Sequence, residues 1–312
     1  MLQSKKVSAT GTTTANAVTP RLVSYTYDPT NRFVKTTTDA ENLTTTNISF
    51  HPLYGAVVSQ QNPFNQTTTT VLDNWGKPTK ITDFLGKSIN TAYTRTNNVF
   101  STTNTGDDGL GTLEVKDALS LSIKKGSKNI NNVWVYANTE YEPLGKKIKE
   151  SEPYFETAAP TQWTIFDYDE HNRPVKTTSY TGKIINTTYN GLTVSAADPV
   201  MTKTKVMNAL WQVITAIDEP GGTIQYKFDT NGNLVQSHYE GIKIDIKYDN
   251  WGRKIELTDT SAGTYNYNYN AFGETIFEST PKGQTNYTLD AVGRTLVKKV
   301  TGDGTNMTST YS

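Results

Sequence analysis

The sequence predicts an all-β protein, an array of β-hairpins laid side by side in one extended sheet. Three observations carry this. Only 35% of the 312 residues are hydrophobic, yet 11% are aromatic, with 18 Tyr against 10 Phe and 5 Trp. Thr and Asn are abundant while Leu, Ala and Glu are sparse, a balance that favours strands and polar turns over helices. A glycine-marked motif then recurs about every twenty residues, and between its copies apolar and polar residues alternate. Such a chain buries apolar surface thinly, as a sheet does.

The repeat is plainest in the last third. Phe228-Asp229-Thr230-Asn231-Gly232, Tyr248-Asp249-Asn250-Trp251-Gly252, Tyr269-Asn270-Ala271-Phe272-Gly273 and Leu289-Asp290-Ala291-Val292-Gly293 align, with glycines 20, 21 and 20 residues apart. A second series, Gly222, Gly241, Gly263, Gly283 and Gly304, falls between them, so each period holds two turns and two strands. Tyr265, Tyr267 and Tyr269 share one face while Thr264, Asn266 and Asn268 share the other; Ile244, Ile246 and Tyr248 repeat the pattern, as do Ile224, Tyr226 and Phe228. Glycine suits the turns because a positive φ is nearly free only without a Cβ.

Traced backwards, the turn-opening polar column runs through Asp28, His51, Asp73, Thr94, Asp117, Glu142, Asp169, Asn190, Asn208, Asp229, Asp249, Asn270, Asp290 and Ser312. The preceding residue is apolar throughout except at Lys116, as at Tyr27, Tyr93 and Tyr168. Opposite charges are expected across the turns at Asp28 and Arg32, Asp73 and Lys77 beside Gly76, Asp169 and Arg173, Asp249 and Arg253, and Asp290 and Arg294. Exposed pairs of this kind contribute about 0–1 kcal/mol each, so their expected role is fixing register.

Residues 1–24 carry no repeat and read as an irregular lead-in, with Thr10–Thr14 either flexible or an edge strand. Residues 25–312 read as one continuous array, degenerate at about 95–165, where Asn104–Gly109 and Ser151–Pro160 look like loop insertions. A break near 150–162 into two domains is the alternative; the same motif on both sides favours continuity. Tyr311-Ser312 falls where the next turn should open, and the expectation is a segment of a longer polypeptide, about fourteen windings of one array.

Several function classes are disfavoured. Thirty basic and thirty acidic residues balance, against the concentrated positive charge that nucleic acid or an anionic membrane requires. Cysteine is absent, which removes disulfides, thiol nucleophiles and Cys-ligated metals. No apolar run approaches the ~18 residues of a membrane span, and the N-terminus lacks a signal-peptide core.

The pattern Tyr-Asp-x-x-Gly-Arg-Leu/Ile, followed by Thr, a second glycine turn and Tyr-x-Tyr, closely resembles the YD repeat of Rhs-family proteins. Tyr248–Ile255 is the nearest match, while Tyr27–Val34 and Tyr168–Val175 carry Asn31 and Asn172 in place of the glycine. That family includes bacterial Rhs polymorphic toxins, Tc toxin B/C components, wall-associated proteins and teneurins. The resemblance implies a long sheet spiralling into a hollow shell that, in the toxins, encloses a C-terminal toxic domain until delivery. The family's closing core segment, an aspartyl autoprotease in many members, has no counterpart in these residues.

No catalytic, cofactor or metal set is found. His51, His171 and His238 join no nucleophile motif; His51 and His171 read as turn residues. Asp167, Asp169 and Glu170 cluster, but Asp169 is already accounted for by its column. Asn104–Gly111 reads as a surface loop, lacking EF-hand or phosphate-loop spacing. Lys124, Lys125 and Lys128 read as a solvated turn. The expected function is therefore architectural rather than enzymatic: a shell segment whose partner is the rest of its own longer chain, with a C-terminal effector as cargo and secretion or delivery machinery as a further expected partner. The expected location is secreted or on a bacterial cell surface. The alternative is a surface or fibre adhesin whose repeats bind carbohydrate through the Tyr columns.

Overall fold

The computed structural model describes residues 2–9, 18–219 and 221–311. Thr10–Thr14 and the last column position, Ser312, lie outside the described residues. Those residues form 29 strands and the turns between them, with no helix, and every strand pairing is antiparallel. The chain divides into two compact units, one comprising Met1–Thr44, Tyr189–Val194 and Lys203–Ser312, the other Thr45–Thr188 and Ser195–Thr202.

Why these residues form a sheet one layer thick is visible in their burial. Along Gly263–Tyr269 the pattern alternates strictly, the three tyrosines half-covered and Thr264, Asn266 and Asn268 exposed. Among the described residues no hydrophobic side chain is fully buried, and only Ser88, Ser151 and Asn270 are buried at all. The rings rest on the sheet rather than in an enclosed core. Backbone hydrogen bonding between strands therefore carries most of the order, which suits a Thr- and Asn-rich chain with few large aliphatic residues.

In each unit the hairpin turns fall alternately on two edges of the sheet. One edge, here the aspartate rim, carries the turns at Asp28, Asp73, Asp117, Asp169, Asp229, Asp249, Asn270 and Asp290; the opposite rim carries those at Asp39, Asp83, Asn129, Asp259 and Asp303. The residue before each aspartate-rim turn sits at a β-bulge: Tyr27, Leu72, Lys116, Tyr168, Phe228, Tyr248, Tyr269 and Leu289 all mark register shifts. Lys116, the exception to the apolar column, thus occupies the same geometric place. A bulge re-aims its side chain and strengthens local twist, which accounts for a column of one residue type at that position.

Several expectations need correction. Thr94 opens no turn: it lies inside Ser88–Thr96, paired with Ser101, and the chain reverses at Asn97-Asn98, where φ is +49° and +63°. Asn104–Gly106 is strand, not loop, since Val99–Gly106 and Gly111–Lys116 form a tight hairpin around Asp107–Leu110. Lys124, Lys125 and Lys128 lie in the strand Ser122–Lys128 rather than in a turn. Lys124 Nζ stands 3.6 Å from the centre of the Tyr136 ring, and burial lowers its pKa. The excursion after Ser151 is real but ordered: Tyr154–Phe155 returns to pair with Val135 and Tyr136. The stretch read as a lead-in contributes Ser4–Val7, paired with Arg21–Tyr27.

Candidate functional site

The aspartate rim is the part of the molecule where the repeat residues converge. At Asp249 the backbone N–H donates to the Arg253 carbonyl at 2.9 Å, and the Gly252 N–H donates to the Asp249 carbonyl at 3.0 Å. One carboxylate oxygen accepts the N–H groups of Trp251 and Arg253, and the other accepts Arg253 Nε at 2.6 Å. This is a type I turn closed by a left-handed residue, the form that favours Gly or Asn at its fourth position, although Ser120 and Trp211 hold it at φ +63° and +62° in the turns at Asp117 and Asn208. Gly76, Gly232, Gly252, Gly273 and Gly293 supply that residue with φ between +78° and +93°, and Asn31 and Asn172 supply it at +57° and +63°. At His51 the imidazole Nδ1 takes the carboxylate's place, accepting from Leu53 and Tyr54 at 3.3 and 3.4 Å.

The charge pairs divide. Arg173, Arg253 and Arg294 each reach the aspartate that opens their own turn. Asp28 is different: its carboxylate takes the Arg32 and Phe33 N–H groups, while the Arg32 guanidinium lies over the Phe33 ring at 5.5 Å. Asp73 caps Trp75 and Lys77 through their N–H groups, and Lys77 Nζ lies 5.1 Å from the Tyr93 ring centre instead. Asp167, Asp169 and Glu170 have separate partners, Lys176, Arg173 and His171, and do not converge.

These turns shift carboxylate pKa values downward. Asp28 is lowered to about 2, first by the Phe33 N–H and then by the Thr30 hydroxyl. Asp198, on the opposite rim, is also lowered to about 2, first by the Lys183 ammonium and then by the Met201 and Val200 N–H groups. For Asp249 and Asp290 burial pushes upward, but hydrogen bonds from Arg253 and Arg294 outweigh it. A carboxyl group lowered in the fold stabilises the fold fully above its ordinary value of 3.8 and loses that contribution as pH falls toward 2. Burial raises Tyr269 and Tyr287, so their contribution is complete below pH 10 and fades above it. Urea midpoints measured against pH should be flat between these limits and fall on both sides, the acid limb beginning just below pH 4.

A feature invisible in the sequence explains why the column prefers Tyr to Phe. The Tyr248 hydroxyl donates to the Leu234 carbonyl at 2.9 Å, Tyr269 to Lys254 at 2.7 Å, Tyr168 to Lys147 at 2.7 Å, and Tyr141 to Ser122 at 3.1 Å. In each case the acceptor opens the strand that follows the preceding aspartate-rim turn. The hydroxyls therefore stitch successive hairpins together along the rim, and Phe228 and Leu289 cannot. Tyr248→Phe should lower stability by about 1 kcal/mol in urea titration, while Phe228→Leu leaves these bonds untouched.

In the unit that holds residues 203–312, the late aspartate-rim turns meet the first strands of the chain. Arg21 Nη2 donates to both carboxylate oxygens of Glu274 at 2.7 and 2.9 Å across 253 residues, with its guanidinium 4.1 Å from the Phe272 ring centre. Glu41, on the opposite rim, accepts the Ala291 N–H at 2.6 Å across 250 residues. That N–H belongs to the second turn position, which the turn itself leaves unbonded. The raised pKa of Arg294 owes most to Asp290, with smaller contributions from Glu41 and Asp39. Phe272, Ala291 and Val292 are half-buried, and the first two line a cavity of about 450 Å³ together with Val18, Thr19 and Arg21. This seam joins one rim of the array to the other.

No family model matches the sequence, and no curated protein matches it. Solved structures do. The chain aligns with TcdB2-TccC3 at a TM-score of 0.74 and 14% identity, over 92% of this chain and 19% of that one. TcdB2-TccC3 without its hypervariable C-terminal region gives 0.73 at 12% identity, and TcdB2-TccC3-Cdc42 gives 0.72 at 12%, each with 22% of that chain covered. The chain thus spans about a fifth of the length of the structures it matches. With its bulged, tyrosine-stitched hairpins, it has the fold of an Rhs/YD-repeat strand array of the kind found in TcdB2-TccC3.

Proposed function

We propose that this chain is a wall segment of a bacterial Rhs-type shell, which holds a C-terminal effector of its own longer polypeptide until delivery from the secreted or surface-bound protein. The observation that carries the reading is the seam. Within one unit the late turns bond to the first strands across about 250 residues of sequence, and among the described residues no hydrophobic side chain is fully buried, which suits a wall better than a domain with a core of its own. In Gly263–Tyr269 and Gly283–Leu289 one face carries half-covered side chains, Tyr265, Tyr267, Tyr269 and Tyr287 among them, and the other polar groups, a lining that can hold poorly folded cargo without one sequence-specific site. The fold likeness to TcdB2-TccC3, of which one structure lacks a hypervariable C-terminal region, supports the same reading. In it the segment has no catalytic role, and its partner is its own polypeptide. Cryo-EM of the full polypeptide should show a closed cavity containing density beyond the wall. An open fibre with no enclosed space would overturn the proposal.

A further inference from the structure

The covered seam has an uncovered counterpart. The third turn position on the aspartate rim is Phe272 and Val292 in the seam, where both are half-buried. In the unit Thr45–Thr188 the same position is Trp75, Leu119 and Leu144, which are 85%, 65% and 89% exposed. Large apolar side chains that bare, at the same turn position of three hairpin tips on one rim, form an edge that favours a partner. Beside Trp75 and beside Leu119 lie recesses of about 540 Å³, in the place where Val18, Thr19 and Arg21 enter the seam.

The polar half of the seam is also repeated without its partner. Glu41 caps the second-position N–H of Ala291; the equivalent N–H groups of Asn74 and Ala118 make no hydrogen bond among the described residues. Lys77 and Arg95 flank the Trp75 recess, over the Tyr93 and Phe100 rings, with no carboxylate partner among the described residues. The edge therefore calls for a rim that brings carboxylates, as Glu41 does. The opposite rim of the other unit offers Glu240 and Asp303, both exposed at turn tips, with Lys282 between them in sequence.

We infer that the aspartate rim of Thr45–Thr188 docks the opposite rim of a second copy of this chain, reproducing between molecules the seam that residues 21–41 and 270–294 form within one. Each chain carries both halves, so the contact is heterologous and head-to-tail, and assembly continues past the dimer. The inference stands apart from encapsulation, since it needs no cargo.

The test is sedimentation velocity of the 312-residue chain between roughly 1 and 200 µM, a range that spans ordinary interface affinities. The wild-type chain should form species larger than dimers as concentration rises. A Trp75→Ser, Leu119→Ser, Leu144→Ser variant and a Glu240→Lys, Asp303→Lys variant should each weaken self-association about tenfold or more. All five side chains are exposed, and circular dichroism should confirm that both variants fold as the wild type does. Mixed together, the two variants should form a dimer through their one intact pair of rims and nothing larger. A wild-type chain that stays monomeric throughout, variants that associate like wild type, or a mixture that forms no dimer would each overturn the inference.

Discussion

Replacing Gly293 with alanine is expected to lower stability by about 3 kcal/mol and to free the first strands of the chain from the late turns. Two costs combine. Gly293 sits at φ +93°, a conformation that side chains with a Cβ resist. The added Cβ would also overlap Glu274 Oε1 and lie 3.1 Å from Arg21 Nη2, so it would displace the seam's ion pair as well as strain its turn. Gly86 provides the comparison. It has φ +77° but nothing within 4 Å of a built Cβ, so Gly86→Ala should show the backbone cost alone, about 1 kcal/mol. Urea denaturation measures the totals. Hydrogen exchange should show faster opening at residues 21–41 in the Gly293 variant and no change there in the Gly86 variant.

The second large effect is expected at Asp249. Alanine removes a carboxylate that accepts two backbone N–H groups and the Arg253 guanidinium, leaving those donors to water or to nothing. The cost should be about 2–3 kcal/mol. Asn keeps an oxygen for the two N–H groups while losing the ion pair, and should cost about 1 kcal/mol or less. Equal losses for Ala and Asn would mean that the charge pair, not the turn capping, holds the hairpin. Asn208 and Asn270 already open turns elsewhere in the array with the same pair of N–H bonds, which is the natural precedent for the smaller figure.

The all-β class and the turn chemistry were legible because they are local. Asp, two free positions and then Gly or Asn encode one type I turn wherever they occur, and strict alternation such as that of Tyr265, Tyr267 and Tyr269 encodes a strand with one covered face. Legibility failed where a different turn solved the same problem. At Asn97-Asn98 two consecutive left-handed asparagines reverse the chain with no Tyr-Asp signature, so the period was carried onto Thr94 in mid-strand. The Asn-Asn pair was the available signal.

Other features were hidden for physical reasons. The tyrosine hydroxyl bonds depend on how far one bulged strand is offset from the hairpin before it, a quantity set by pairing register. The seam joins Arg21 to Glu274 and Glu41 to Ala291 with no periodic relation in the sequence. Lys77 keeps the spacing of the arginines that pair with their turn aspartates, yet it faces Tyr93, because a neighbouring ring competes for its ammonium.

The central claim is that the late aspartate-rim turns seat on the opposite rim of the first hairpins within one molecule. The chain has no cysteine, so a Glu41→Cys, Ala291→Cys variant carries the only two thiols present. A short bifunctional thiol reagent, applied at high dilution, should join them within single chains and shift the denatured product to faster gel migration. A Glu41→Cys, Ala262→Cys control, which places the second thiol at an opposite-rim turn, should stay unlinked. Linkage of the first pair that appears only between molecules, or equal linkage of both pairs, would contradict the seam.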